Sequence, residues 1–158
     1  MRILGIDPGF GRVGFGIIEK KGGEWTHVAH GCIETSSKKK LSERLVEVHA
    51  DLETVIKKYR PDSAALEELF FAKNAKTAMD VGQARGVIFL TLLQAGLSVD
   101  EFTPLEVKQA VTGYGRAEKV QLQKMITLLL KLPKKPLPDD AADALAVALT
   151  SGLTKRFP

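Results

Sequence analysis

The hydrophobic pattern of the chain begins with strands. Residues 2–7 form a short apolar run that ends in an acid, and strand-like patterns follow at residues 13–20 and 25–34, separated by a glycine turn at 21–23. Strands joined by connections this short must run antiparallel. The first part of the chain therefore predicts an antiparallel meander of three strands.

From Leu41 the hydrophobic spacing becomes helical, and helices then alternate with strands. The pattern predicts strands at 63–67 and 98–102, and helices at 41–59, about 74–94, 104 to the glycine break at 113–115, 118–130 and 139–151. A helix between two strands implies a parallel crossover. We predict one α/β domain over residues 1–158, with a five-stranded mixed sheet of three antiparallel strands and then parallel ones, flanked by helices.

Composition narrows the class of protein only slightly. The 158 residues are 44% hydrophobic and 27% charged, as in a globular domain, and the net charge of +4 leans mildly towards polyanionic partners. No apolar run approaches the length of a membrane span, so we expect no membrane contact. Cys32 is the only cysteine and there are three histidines, which suits the cytoplasm and argues against a zinc site.

Two acids follow strands in the same way. Asp7 ends the run ILGID and Glu67 ends the run AALE. If the two strands are parallel neighbours, both acids emerge at the carboxyl edge of the sheet, where open α/β sheets place their ligands. Neighbouring strands lie about 4.8 Å apart, so the two carboxylates could share a metal ion.

A second pair of acids opens the last predicted helix, PDDAADALAVAL. Asp140 and Asp143 share a helical face that Ala144 and Val147 continue, so they point towards the protein body. Two inward anions need positive charge, and the helix offers no lysine or arginine before Lys155. A metal ion from solution is the natural answer, and oxygen ligands favour Mg²⁺ or Mn²⁺.

Each acid also has a structural explanation. Asp7-Pro8-Gly9 is a good turn sequence, and one of the neighbours Glu67 and Glu68 could be a solvated surface acid. Asp139 suits a helix N-cap, and Asp140 suits the positive end of the helix dipole. These explanations treat the acids one by one and fit Asp143 least well, whereas a metal site explains Asp7, Glu67, Asp140 and Asp143 together.

The segment GFGRVGFG is rich in glycine but fits no nucleotide-binding loop. A strand follows it, whereas Walker and dinucleotide motifs lead into a helix. We predict instead that Gly9, Gly11, Gly14 and Gly16 make a tight hairpin and keep the backbone close to Asp7.

Aromatic and basic residues after Glu67 suggest a contact with nucleic acid. Phe70 beside Lys73 and Lys76 suits stacking on an unpaired base with phosphate contacts nearby, and we assign Phe70 that role. The alternative is core packing, which is open for Phe71.

A second basic group surrounds the glycine break at 113–115. Cations on a loop before a helix can approach a phosphate backbone, although a solvated helix face is the usual place for lysine. We predict DNA contacts from the loop and its flanks, at Lys108, Tyr114, Arg116 and Lys119, with Lys124 nearby.

One face of the long predicted helix is almost bare, because Ala78, Gly82 and Gly86 recur every four residues. Each glycine costs a helix about 1 kcal/mol, so a packing gain should offset it. The partner of this face is either the sheet beneath it or the same helix of a second subunit.

Taken together, these segments resemble the RuvC-type Holliday-junction resolvases. The resemblance rests on LGIDPG, ALEELFFAKNAKTAMDVGQARG, VKQAVTGYGRAEKVQLQ and DDAADALAVAL, in the family's order over almost the whole chain. It implies the RNase H-like fold, whose order of strands and helices is the one predicted above. It also implies a homodimer with the long glycine-bearing helix as its dimerisation element.

The resemblance assigns roles to individual residues. Asp7, Glu67, Asp140 and Asp143 match the family's four catalytic acids, Phe70 its junction-stacking aromatic, and Lys108 and Lys119 its essential lysines. Asp139 beside Asp140 leaves the register of that ligand open. The implied activity is symmetric hydrolysis of four-way DNA junctions in recombination and repair. It would use two Mg²⁺ per site, with Mn²⁺ able to substitute, and a branch-migration motor as partner. Lys119 would stabilise charge at the scissile phosphate.

Three other functions compete with this one. A sugar kinase or actin-like ATPase also opens with a strand, an acid and a glycine-rich hairpin, but it needs two such domains. A related RNase H-like nuclease could act on RNA. A protein that only binds junctions would use its acids as helix caps.

Overall fold

The computed structural model describes residues 1–9, 11–68 and 75–154. Its strands are β1 (Arg2–Asp7), β2 (Arg12–Lys21), β3 (Glu24–Glu34), β4 (Ser63–Glu67) and β5 (Ser98–Phe102). Its helices are α1 (Leu41–Tyr59), α2 (Ala75–Gln94), α3 (Pro104–Thr112), α4 (Lys119–Leu129) and α5 (Asp139–Thr154). The predicted bounds differ from these by one residue at most, except that α5 continues three residues further.

The five strands form one mixed sheet in the order β3-β2-β1-β4-β5. β1 pairs antiparallel with β2, and β2 with β3, whereas β4 lies parallel to both β1 and β5. This arrangement confirms the predicted α/β class, with a meander first and parallel crossovers afterwards. It also makes β1 and β4 neighbours whose carboxyl ends lie at the same edge.

Alternation along the strands divides the core into two layers. Ile3 of β1 faces one cluster, with α3, α4 and α5, and the next residue, Leu4, faces the other cluster, with α1 and α2. Both side chains are fully buried. Because successive strand residues point to opposite faces, a single apolar strand such as β1 supplies both layers.

Helix α5 lies at the centre of its layer. Every residue from Ala141 to Gly152 is buried except Asp143, which is partly exposed. The helix packs on β1, β2 and β3, and α3 and α4 cover it. Within the described residues no helix is long and apolar enough to cross a membrane.

Candidate active site

The ends of β1 and β4 bring the first two acids together. Ile6 pairs with Leu66 in the parallel register, so Asp7 and Glu67 follow at adjacent positions. The Asp7 carboxyl group donates a hydrogen bond to the Glu67 carboxylate. Two acids 60 residues apart in sequence therefore share one proton at the edge of the sheet.

Helix α5 brings the other two acids to the same place, because glycines allow it to press onto the sheet. A Cβ built at Gly14 would lie 2.0 Å from the carbonyl oxygen of Asp140, and one at Gly5 would lie 2.1 Å from that of Ala144. Real Cβ atoms do not approach backbone oxygens this closely. Gly14 also pairs with Asp7 in the antiparallel register. The close contact of helix and sheet thus sets Asp140 beside Asp7.

This packing changes the interpretation of the glycine-rich segment. We predicted that all four of its glycines shape a hairpin, but Gly14 and Gly16 lie within β2. A Cβ at Gly16 would lie 2.8 Å from Leu145 of α5. For these two glycines the predicted role in a tight turn was wrong, since they admit a helix, whereas the predicted closeness of the backbone to Asp7 is confirmed at Gly14, its partner in the sheet. Gly11, with a positive φ of 87°, does lie in the turn between β1 and β2.

The four acids form one electrostatic cluster. Burial, followed by the charges of Glu67, Asp143 and Asp140, raises the pKa of Asp7 to about 8. A carboxyl group with such a pKa keeps its proton at neutral pH, because a further negative charge cannot be accommodated. The effect of three distant acids on Asp7 is direct evidence that they converge on it.

Glu67 and Asp143 show the same crowding of negative charge. Burial raises the pKa of Glu67, while its hydrogen bond from Asp7 and the charges of Lys108 and Lys119 oppose that rise. Burial likewise raises the pKa of Asp143 against the opposing effect of Lys119. The site therefore contains more negative charge than the surrounding residues compensate.

Two cations from outside α5 provide part of that compensation. The Lys119 Nζ atom lies 3.3 Å from an Asp143 oxygen, and an Arg12 Nη atom lies 3.4 Å from an Asp140 oxygen. Both cations come from other elements, a lysine from α4 and an arginine from β2, so they do not follow from the sequence of α5. The prediction that a metal ion neutralises these acids stays a prediction.

Asp139 and Asp140 point in different directions. Asp140 contributes to the raised pKa of Asp7. Asp139 instead contacts Lys119 at 3.3 Å and Lys135 at 3.5 Å and accepts a hydrogen bond from Gln123 at 3.1 Å. The charge of Asp140 therefore acts on Asp7, whereas Asp139 lies among the side chains of Lys119, Gln123 and Lys135 and acts on Asp143.

The donor chemistry of the cluster fits a hard divalent cation. Carboxylate oxygens are the ligands that Mg²⁺ and Mn²⁺ prefer, and burial raises the pKa of Asp7, Glu67 and Asp143, so a bound cation would favour their ionised forms. Among the described residues, no three potential ligands are already spaced to enclose an ion. Asp143 and Asp140 are turned towards Lys119 and Arg12, so binding would require them to exchange these partners.

The predicted basic residues lie around this cluster. A cleft of about 190 Å³ is lined by Glu67, Lys108, Lys119 and Asp143, together with apolar residues of α3, α4 and α5. Tyr114 is 59% exposed and Arg116 is also exposed, both on the loop between α3 and α4. The structure thus brings Lys108 and Lys119 to the acids and places Tyr114 and Arg116 on the adjacent surface.

Some predicted DNA contacts cannot be located. Phe70, Phe71 and Lys73 lie outside the described residues, as does the side chain of Lys76, although its backbone belongs to α2. Their roles, like the catalytic and metal-binding roles of the four acids, stay predictions.

The bare face of α2 does not pack on the sheet. Among the described residues, no atom lies within 4 Å of a Cβ built at Gly82 or Gly86. Met79, Leu90 and Leu93 of the same helix are 68%, 55% and 49% exposed. Of the two partners considered for this face, the sheet does not contact the glycines within the described part of the chain.

Sequence reasoning missed three contributors to the site. Arg12 has no special sequence context, although its position just after the hairpin places it on the strand beside Asp7. Gly5, in the middle of β1, and Gln123, on α4, were assigned no role from the sequence. A glycine in the middle of a buried strand is a signal of close backbone approach, and it could have identified Gly5.

Comparison with known proteins agrees with this architecture. Residues 3–151 match the family model of crossover junction endodeoxyribonuclease RuvC. A protein of that name from Caldicellulosiruptor saccharolyticus is 57% identical over 150 residues, covering 94% of this chain and 90% of the relative. One from Petrotoga mobilis is 52% identical over 156 residues, covering 99% and 96%.

A solved structure extends the similarity to three dimensions. The RuvC of Thermus thermophilus in complex with a Holliday junction substrate superposes with a TM-score of 0.91 at 35% identity, covering 97% of this chain and 93% of that one. The resemblance noted in the sequence motifs is thus confirmed over nearly the full length. The chain belongs to the RuvC family of crossover junction endodeoxyribonucleases.

Proposed function

We propose that this protein resolves four-way DNA junctions as a symmetric dimer, by divalent-metal-dependent hydrolysis of phosphodiester bonds at the cluster of Asp7, Glu67, Asp140 and Asp143. The observation that carries the proposal is that Glu67 of β4 and the two acids of α5 converge on Asp7 of β1. Burial and their charges raise the pKa of Asp7 to about 8. The names of the relatives and the junction bound by the Thermus thermophilus protein supply the substrate.

The four carboxylates of Asp7, Glu67, Asp140 and Asp143 would hold two Mg²⁺ ions, with Mn²⁺ able to substitute. Bound divalent ions supply Lewis acidity to the phosphate and lower the pKa of water. Asp7 must lose its proton and Asp143 must release Lys119 for this to occur. The freed ammonium group of Lys119 then lies in the cleft beside the acids, where it can stabilise charge that develops on the scissile phosphate.

Lys108 contributes to the same cleft from α3, and the exposed Tyr114 and Arg116 extend the binding surface along the adjacent loop. Cations at these positions would fix the phosphate backbone in register, without reading the base sequence. Phe70 would stack on an unpaired base at the junction centre, and Lys73 and Lys76 would contact phosphates nearby.

The exposed apolar face of α2 supports the dimer. Two helices can approach closely where Gly82 and Gly86 present no side chain, while Met79, Leu90 and Leu93 supply apolar contact area. A four-way junction is approximately two-fold symmetric, so a two-fold dimer can present one site to each of two opposed strands. A branch-migration motor is the further partner that this activity suggests.

The deciding experiment compares cleavage of a synthetic four-way DNA junction, linear duplex DNA and structured RNA, with and without Mg²⁺. We expect symmetric cutting of the junction that requires the metal. Asp7→Asn should abolish cutting and leave junction binding largely intact, because the Asp7 carboxyl group is neutral at pH 7 without metal and an amide of the same shape changes little there. Cutting by Asp7→Asn at the wild-type rate would refute the assigned site, and preferential RNA cleavage would refute the substrate.

A further inference from the structure

Lys119 lies between two acids of α5. Its Nζ atom is 3.3 Å from an oxygen of Asp139 and 3.3 Å from an oxygen of Asp143. The acids are four residues apart and therefore share one face of the helix. Since Asp143 belongs to the acidic cluster, Lys119 is held by one acid inside the cluster and one acid outside it.

Asp139 is itself held in place by α4 and by the segment before α5. Gln123, which is only 4% exposed, donates from Nε2 to an Asp139 oxygen at 3.1 Å, and Lys135 lies 3.5 Å from the same oxygen. A buried amide needs a hydrogen-bond partner, so this contact orients both side chains. Lys119 and Gln123 are four residues apart on α4 and face the start of α5 together.

Asp139 is poorly placed to act as one of the clustered acids. Its side chain contacts Lys119, Lys135 and Gln123, whereas the side chain of Asp140 contacts Arg12 of β2. The Lys119 and Lys135 ammonium groups and the Gln123 amide hold the Asp139 carboxylate in one orientation. An ionised carboxylate of fixed orientation beside a lysine suits it to holding that lysine.

We propose that Asp139 is a positioning residue that keeps the Lys119 ammonium group at the mouth of the cleft when Asp143 engages other partners. This inference rests on the role assigned to Lys119 under the proposed function. Without Asp139, the long lysine side chain would lose its second anchor whenever Asp143 released it. The chain of contacts from buried Gln123 through Asp139 to Lys119 then determines how often the ammonium group is correctly placed.

A double-mutant cycle on single-turnover junction cleavage tests this proposal. Lys119→Gln should slow cleavage about a hundredfold, the usual scale for losing one donor at a developing charge. Asp139→Asn should slow it about tenfold or more, because a misplaced group loses much of its effect. The double variant should cut no more slowly than Lys119→Gln alone, since Asp139 acts through that lysine. Asp139→Glu should recover most of the loss.

Metal-free junction binding, measured by gel shift, separates positioning from folding. Asp139→Asn should bind within about twofold of wild type, because removing an acid does not weaken phosphate contacts. Asp51→Asn, on the exposed surface of α1, is the control for the change in charge and should cut like wild type. Lys135→Gln leaves the Asp139–Lys119 contact in place and should have a smaller effect than Asp139→Asn.

Several outcomes would overturn the inference. The first is an Asp139→Asn variant that cleaves the junction at the wild-type rate. The second is a double variant whose cleavage rate falls by the product of the two single losses. The third is an Asp139→Glu variant that cleaves as slowly as Asp139→Asn. Full cutting by Lys119→Gln would also overturn it, because there would be no group to position. If Asp139→Asn is unfolded by circular dichroism, Asp139→Ser takes its place in the cycle. Absence of junction cleavage by the wild-type protein would instead refute the proposed function itself.

Discussion

The carbonyl oxygen of Asp140 occupies the position that a side chain at Gly14 would need. A Cβ there would lie only 2.0 Å from that oxygen, and Gly14 is paired with Asp7 across the sheet. The space between β2 and α5 is therefore set by the absence of one methyl group. Any side chain at this position must push the start of α5, with its acids, away from Asp7.

Gly14→Ala should consequently damage stability and activity together. We expect a loss in the free energy of unfolding at or above about 3 kcal/mol, the upper end of the usual overpacking cost, because backbone must move. Thermal unfolding and junction cleavage measure the two effects. Gly31→Ala is the matched control, since its Cβ would meet the Phe15 ring at 3.0 Å and that side chain can yield. Equal losses for the two variants would contradict this account.

The raised pKa of Asp7 makes metal-free stability depend on pH. The folded protein holds the Asp7 proton up to about pH 8, whereas the unfolded chain releases it near 3.8. Between these values the folded state binds more protons, so stability falls as pH rises. In a chelator, Asp7→Asn should unfold at a higher temperature than wild type at pH 8, and the difference should shrink towards pH 4. A constant difference across this range would argue against a protonated Asp7.

Metal binding should release a proton at neutral pH. An Asp7 carboxyl group with a pKa of about 8 is protonated at pH 7 and must ionise to coordinate a cation. Calorimetric titration with Mg²⁺ in buffers of different ionisation enthalpy should give a release of up to about one proton at pH 7 and less at pH 9. Asp7→Asn should bind metal weakly without this release. Binding with no proton release in the wild type would show that Asp7 is not a ligand.

The glycines of α2 predict opposite effects on the monomer and the dimer. Among the described residues a Cβ at Gly82 or Gly86 meets no atom. Alanine at each position should therefore raise the free energy of unfolding of the monomer by up to about 1 kcal/mol. The same Cβ should weaken close helix contact between subunits. Sedimentation of Gly82→Ala/Gly86→Ala should show a larger dimer dissociation constant than wild type.

Val46→Ala is a control for this experiment, because Val46 is an exposed apolar residue (66%) of a different helix, α1. It should leave the dissociation constant unchanged. A glycine double variant that dimerises as tightly as wild type would remove the bare face from the interface. A wild-type protein that stays monomeric at micromolar concentration would remove the symmetric dimer altogether.

The strand ends of this protein could be predicted because two simple rules act together. The meander makes β3 run in the same direction as β1, and α1 then leads from β3 into a parallel β4, so the runs that end in Asp7 and Glu67 present their carboxyl ends at one edge. The shared face of Asp140 and Asp143 followed from helical spacing alone. Both inferences use the local sequence of one strand or one helix, and the structure forms these strands and this helix where they were predicted.

The partners of the acids could not be predicted in the same way. Lys119 reaches Asp143 because α4 packs across the start of α5, and Arg12 reaches Asp140 because β2 runs beneath it. Such contacts depend on the spacing between helix and sheet, which Gly5, Gly14 and Gly16 determine through three-dimensional packing. Nothing in the sequence next to Asp139 indicates that Gln123, on another helix, holds it.

The burial of α5 has a consequence for how the enzyme fails when heated. Its amide groups lie between the sheet and two covering helices, so they should be among the slowest in the molecule to exchange hydrogen with solvent. Local fraying of outer elements leaves such a helix intact. Loss of nuclease activity on heating should therefore coincide with cooperative unfolding of the whole domain.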